Sequence, residues 1–264
     1  MLELKDLHKT FNPGTVNAKT ALNGLSLTLQ SGEFVTVIGG NGAGKSTMLN
    51  ATAGTLRLDS GEVYLDGMDV TDLPEYKRAA FIGRVFQDPM MGTAPSMHIE
   101  ENLALAARRG QKRGLRWGIS KEERETYRTM LSDLGLGLEK RLSSEVSTLS
   151  GGQRQALTLL MATLKSPKLL LLDEHTAALD PKTAAKVMDL TDRIVTKERL
   201  TTLMITHNMR DAIQYGSRLV MLHEGRVILD ISGEEKKRLT VTDLLAQFAK
   251  ASGDEFASDR ALLS

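Results

Sequence analysis

Apolar and polar residues partly alternate along LELKDLHKTF (2–11) and ALNGLSLTLQ (21–30). That period of two predicts half-buried strands. The link between them, NPGTVNAKT, is polar and rich in turn formers. FVTVIG (34–39) is instead apolar almost throughout, as suits a parallel strand covered on both faces. A glycine-rich loop follows, then a helix from about Lys45. EVYLDG (62–67) and FIGRVFQ (81–87) predict two more strands, the second ending in glutamine. From Asp88 to Pro167 the period lengthens to that of helices, in IEENLALAARR, SKEERETYRTMLSDLGL and SGGQRQALTLLMATLKS. In the last, Leu157, Leu160, Met161 and Leu164 share one expected apolar face. Strands return in KLLLLDE (168–174), TTLMITH (201–207), RLVMLHEG (218–225) and RVILDI (226–231), with helices such as PKTAAKVMDLTDRIV between them.

This alternation predicts an α/β fold with a mostly parallel sheet and helices on its faces. The helical block then reads as an insertion. The expected division is a core of residues 1–87 and 168–233, an inserted helical subdomain of 88–167, and a tail of 234–264 with one helix, VTDLLAQFAK.

Composition narrows the possibilities. The 264 residues include no cysteine, which excludes disulfides, thiolate metal sites and cysteine nucleophiles and fits a reducing cytosol. The net charge of +1 gives no general pull toward nucleic acid. MLELKDLHKT lacks the apolar heart of a signal peptide, and no run approaches the ~20 apolar residues of a membrane span. Work at a membrane would need spans from other chains.

GGNGAGKST (39–47) carries the clearest chemistry. It matches the phosphate-loop pattern, with a buried strand before it and a helix after it. The backbone of Gly39, Asn41, Gly42, Ala43 and Gly44 is expected to turn its N–H groups around phosphate oxygens. Lys45 should reach the β- and γ-phosphates, Ser46 should ligate Mg2+, and Thr47 is placed for a further phosphate contact. In LLLLDE (169–174) two carboxylates follow four leucines, at the strand end where open α/β sheets bind ligands. Asp173 is expected to orient Mg2+, and Glu174 to act as general base for the attacking water.

A second glycine-softened helix start occurs at LSGGQ (149–153). Ser150 and Gln153 have capping-box spacing, which accounts for both. It does not account for Gly151 and Gly152, each costing up to ~1 kcal/mol against alanine inside a helix. They make sense if another group must come close to the backbone, and an anion is the natural candidate at a helix start.

The phosphate loop, Gln87, LSGGQ, LLLLDE, AALD (177–180) and His207 occur in this order along the chain. Over nearly its full length the chain resembles the ATP-binding subunit of an ABC transporter. The resemblance implies a RecA-like phosphate-loop NTPase core, with an N-terminal antiparallel β part and an inserted α-helical subdomain carrying LSGGQ. It implies ATP and Mg2+ as cofactors, and a second copy of the chain packed head to tail. Ser150, Gly151, Gly152 and Gln153 of one copy would then meet the γ-phosphate held by the other. Gln87 would touch Mg2+ and the attacking water and hinge the helical block; His207 would contact the γ-phosphate; Asp180 would lie at the subunit boundary. Asp180 also reads as a helix cap before Pro181, and both roles are compatible. Phe11 would stack on adenine, although as a core residue it would also be unremarkable.

The expected partners are two transmembrane permease subunits, with the chain peripheral on the cytoplasmic face of the inner or plasma membrane. TMLNATAGTL, QDPMMGTAPSMHIEENL and DEHTAALD are similar to a bacterial group of tryptophan/tyrosine-type importer ATPases, associated with a lipoprotein-type solute-binding protein. Import of a small solute, an aromatic amino acid, follows from that similarity. An exporter subunit, a soluble non-transport ABC-type ATPase and a small-molecule kinase are the competing readings. The second would show paired ATPase halves or long coiled coils, and the third would leave LSGGQ and His207 without a purpose. Met90, Met91 and Met97 read either as a surface for a short helix of a transmembrane subunit or as core. The basic stretch RRGQKRGLRW (108–117) reads as a solvated loop, or one lying near anionic headgroups. One departure stands out: DEHTAALD where the family commonly shows DEPTSALD. His175 is then either a neutral replacement or a residue that tunes Glu174 or contacts the partner.

Overall fold

The computed structural model describes residues 1–111 and 118–252. Most of the basic stretch 108–117 and the end of the tail lie outside them. The chain begins with β1 (Leu2–Phe11), β2 (Lys19–Leu29), β3 (Phe34–Ile38), α1 (Lys45–Ala53), β4 (Ser60–Leu65), β5 (Met68–Asp69), α2 (Glu75–Arg78) and β6 (Ile82–Val85). Three helices follow: α3 (Ile99–Ala107), α4 (Lys121–Ser132) and α5 (Gly151–Thr163). Then come β7 (Leu169–Asp173), α6 (Pro181–Glu198), β8 (Thr202–Ile205), α7 (Met209–Gln214), β9 (Arg218–His223), β10 (Arg226–Ser232), α8 (Gly233–Arg238) and α9 (Val241–Ser252).

Two sheets form. The first is antiparallel, in the order β2-β1-β4-β5. The second has the order β10-β9-β3-β8-β7-β6 and is parallel except for β10. β7 shows why its sequence is four leucines in a row. Leu169 and Leu171 enter a core shared with the first sheet and with Met48 and Leu49 of α1. Leu170 and Leu172 point the other way, into a core built with α3, α4, α5 and α6. A strand covered on both faces needs no polar alternation. A third, smaller cluster joins Ile38, Leu219, Met221 and Ile231 to Ala212 of α7 and to Leu244 and Phe248 of α9.

The pairing sets where chemistry can gather. Val37 and Asp173 both pair with Ile205, and Val85 pairs with Leu172. The C-terminal ends of β3, β8, β7 and β6 therefore share one edge, as P-loop folds require. The loop after each of these strands carries a residue singled out from sequence.

Some local expectations shift. Gln87 and His207 each lie two residues beyond their strands, which end at Val85 and Ile205. The tail has a second helix, α8, besides α9. Of the four residues expected to face the core from α5, Leu157 is fully buried, while Leu160, Met161 and Leu164 are half-buried. The deeper face is Gln155, Ala156, Leu159, Ala162 and Thr163, because α5 is packed on several sides.

Candidate functional site

The phosphate loop leaves β3 in a conformation that only glycine adopts without strain. Gly39, Gly42 and Gly44 have φ of 152°, 81° and 102°. A Cβ on Gly39 would sit 2.3 Å from Leu222 O, and one on Gly44 2.4 Å from Ala21 O, so both are also packed against backbone. The turn after β9 braces the loop: Gly225 N donates to Ala43 O, and Asn23 N donates to Gly225 O. Gly44 is the N-cap of α1 and offers no side-chain cap. The first N–H groups of α1 are thus left for an external acceptor, the arrangement that suits phosphate. Lys45 is buried, its Nζ donating to Gly39 O at 2.7 Å and Gly40 O at 3.2 Å. Burial pushes its ammonium below the usual lysine range, against the opposing pull of Glu174 and Asp173. Ser46 is exposed and Thr47 half-buried on the same turn.

Asp173 ends β7 beside Arg84 of the neighbouring β6, with Nη2 to Oδ2 3.4 Å. The same nitrogen donates to Asn50 Oδ1 of α1 at 2.7 Å, and the guanidinium lies over Phe86. Arg84 therefore ties α1, β6 and the aspartate together; sequence reading passed over it, although an arginine inside a short buried strand was the available signal. Glu174 turns out of the strand with φ 46°, a conformation uncommon for a non-glycine. Its N–H donates to Ile205 O at 3.0 Å, and its Oε1 is 2.7 Å from His207 Nε2. The edge thus brings Lys45, Asp173, Glu174 and His207 together. Gln87 is exposed beyond β6, next to Phe86, whose carbonyl accepts from the buried Gln155 of α5 at 3.2 Å.

Phe11 is 37% exposed, so it is not core. It pairs across the antiparallel ladder with Lys19, and Lys19 Nζ lies against the Cα of Gly42, 2.9 Å from where a Cβ would be. The aromatic ring thus sits on the strand end next to the phosphate loop. Met90 and Met91 are exposed, while Met97 is half-buried.

The second glycine-bearing helix start is arranged differently. Ser150 caps α5 in a full capping box: Gln153 N donates to Ser150 Oγ at 3.3 Å, and Ser150 N donates to Gln153 Oε1 at 3.2 Å. Gly151 is exposed. Gly152 is buried, and a Cβ there would sit 2.1 Å from Thr183 Cγ2 of α6. The group that comes close to Gly152 is therefore within the chain, and only Gly151 keeps its backbone open to an outside group. Asp180 caps α6 by accepting from Thr183 N at 3.1 Å, which holds its carboxyl below the usual range. His175 points away from the edge and is buried against α6, 3.0 Å from Thr191 Oγ1. Burial lowers its imidazole to about 4. The reading in which His175 contacts a partner is excluded by that burial.

Residues 22–177 match the family described as ABC transporter. The chain belongs to that family. It is an ATP-binding cassette, the ATP-hydrolysing component of such a transporter. It is 48% identical over 251 residues to the tyrosine transport ATP-binding protein of Clostridioides difficile (strain R20291), covering 95% of this chain and all of that one. It is 34% identical to the spermidine/putrescine import ATP-binding protein of Haemophilus influenzae (strain ATCC 51907 / DSM 11121 / KW20 / Rd), of which it spans 59% while 89% of its own length is covered. Its fold matches the dimeric post-hydrolysis structure of an ATP-binding cassette bound to ADP and Pi, with a TM-score of 0.75 and 32% identity over 88% of this chain and 98% of that one. Among the described residues no helix is long and apolar enough to cross a membrane.

Proposed function

We propose that two copies of this chain close head to tail around two ATP molecules and drive separate permease subunits that import a small solute. Within each copy, residues 1–87 and 168–233 form the nucleotide core, 88–167 the helical insertion and 234–264 the tail. The observation that carries the reading is the contrast between the sheet edge and the second helix start. Lys45, Asp173, Glu174 and His207 gather at one edge, whereas the hydrogen bonds of Ser150 and Gln153 run to each other, to Leu136 and to Arg154 rather than to the phosphate loop. Exposed Gly151 then suits a phosphate held by another copy.

Each residue has a role in that scheme. The backbone of Gly39, Asn41, Gly42, Ala43 and Gly44 cradles the phosphates, Lys45 exchanges its loop carbonyls for the β- and γ-phosphates, and Thr47 adds a contact. Glu174 accepts a proton from the water that attacks the γ-phosphorus. His207, whose Nε2 lies 2.7 Å from that carboxylate, is assigned to the γ-phosphate. Phe11 stacks on adenine, Asp180 lies at the boundary between copies, and Ser150, Gly151, Gly152 and Gln153 complete the partner's pocket, Gly152 through its close fit under α6.

The donor set suits Mg2+. Ser46, Asp173 and Gln87 offer oxygens, and among the described residues no cluster of His, Cys, Asp and Glu side chains could hold a metal alone. Mg2+ takes oxygen ligands and draws several of them from phosphates and water. When bound, Mg2+ would neutralise charge developing on the phosphates.

Identity to the tyrosine transport relative over its whole length supports an aromatic amino acid as cargo. A lipoprotein-type binding protein would deliver it. Exposed Met90 and Met91 suit an adaptable contact with a short permease helix. The test is ATPase activity of the chain purified with its permease in lipid vesicles. Tyrosine or tryptophan with the binding protein should stimulate turnover and be accumulated; stimulation by polyamines or sugars alone would overturn the cargo assignment.

A further inference from the structure

Glu174 begins a turn. Ala177 N donates to Glu174 O at 2.9 Å, which makes His175 the second residue of a four-residue turn. Proline favours that position because its ring fixes φ. This chain has histidine there, so the ring restraint is absent. In its place the side chain is anchored. His175 is 2% exposed and its Nε2 is 3.0 Å from Thr191 Oγ1. Thr191 is fully buried, and its hydroxyl donates to Val187 O at 2.8 Å. The Thr191 proton is committed to that carbonyl, so Nε2–H of His175 is the donor to Oγ1. The chain of bonds runs from the turn at Glu174 into the third turn of α6. Glu174 itself has a left-handed φ of 46° and is otherwise held by its N–H to Ile205 O and by His207.

We infer that His175 and Thr191 are positioning residues for Glu174: the buried His175 Nε2–H···Thr191 Oγ1 bond fixes the turn that aims the Glu174 carboxylate. The inference rests on the reading of Glu174 as base. Neither residue touches nucleotide. The bond fastens the turn to α6, whose first turn Asp180 caps and whose Thr183 packs on Gly152. One helix thus supports both the base and the backbone of LSGGQ.

The test is single-turnover hydrolysis at saturating ATP and Mg2+, with ATP affinity measured on the same protein. Thr191→Val keeps the shape and removes the hydroxyl. It should lower the hydrolysis rate about tenfold, since small misplacements of a reacting group are costly. ATP affinity should stay within about twofold, because the phosphate loop is untouched. Thr191→Ser should restore the rate. His175→Leu removes the other end of the bond and should give the same loss, with the double variant no worse than either single one. In a Glu174→Gln background Thr191→Val should have no further effect. Wild-type rates in Thr191→Val, an additive double variant, equal losses in both backgrounds, or rate and affinity falling together would each overturn the inference. Glu174→Gln alone separates the two layers. If it turns over normally, the base assignment fails; if it is slow while Thr191→Val is unaffected, only the positioning role fails.

Discussion

The starts of α1 and α5 both carry glycines, yet they solve opposite problems. At α1 the N-cap is Gly44, without a side-chain cap, and the buried Lys45 rests on the loop's own carbonyls. No side chain caps the first N–H groups of α1, so an anion can gain them, and only Lys45 has bonds to exchange, those to Gly39 O and Gly40 O. At α5 the N-cap is Ser150, already satisfied by Gln153, and Gly152 is filled by Thr183. That start is stable by itself and offers little more than the Ser150 hydroxyl and the exposed Gly151 backbone. The difference teaches that glycine in a helix start can have different physical causes: at Gly44 a left-handed backbone packed on Ala21 O, and at Gly152 close approach of another helix. Sequence alone does not separate them.

The sharpest way to break the comparison is to remove charge from the first start. Lys45→Ala should weaken ATP binding by about 100-fold, because charge-assisted bonds to buried phosphate are lost. Isothermal titration reads this, and unchanged affinity would mean that α1 is no more an anion site than α5. Next in size is packing at the second start. Gly152→Ala should cost about 1–3 kcal/mol in urea unfolding, as overpacking does. Thr183→Ser removes the opposing methyl and should recover most of it; no rescue would place the clash elsewhere. The smallest effect is the cap. Ser150→Ala should cost about 1 kcal/mol of stability. It should leave ATP affinity of the single subunit within about twofold while weakening ATP-driven dimerisation, as the proposed phosphate contact across copies requires. Loss of subunit affinity in Ser150→Ala would erase the distinction.

Most of the edge is legible in the sequence. The apolar run ending in Asp173 and Glu174 announces a strand buried on both faces, and the glycines before Lys45 demand the loop conformation found. Long periodic segments such as α6 and β1 were equally clear, because many residues report the same period. What escaped detection has few residues or a nonlocal cause. β5, α2, α7 and α8 are too short to show a period. The fit of Gly152 under Thr183, the anchoring of His175 on Thr191 and the bridge from Arg84 to Asp173 and Asn50 join residues far apart in the chain. The deep face of α5 was misjudged because Gln155 and Thr163 are buried polar residues with their own bonds, to Phe86 O and Leu159 O. A hydropathy pattern counts them as surface.

In the proposed dimer the two kinds of helix start meet on one nucleotide. Light scattering coupled to gel filtration, on Glu174→Gln at saturating ATP and Mg2+, measures this directly. A particle of twice the subunit mass that reverts to single mass in ADP, and forms less when Ser150→Ala is added, is the predicted result. A Glu174→Gln protein that binds ATP tightly and remains single under the same conditions would contradict it.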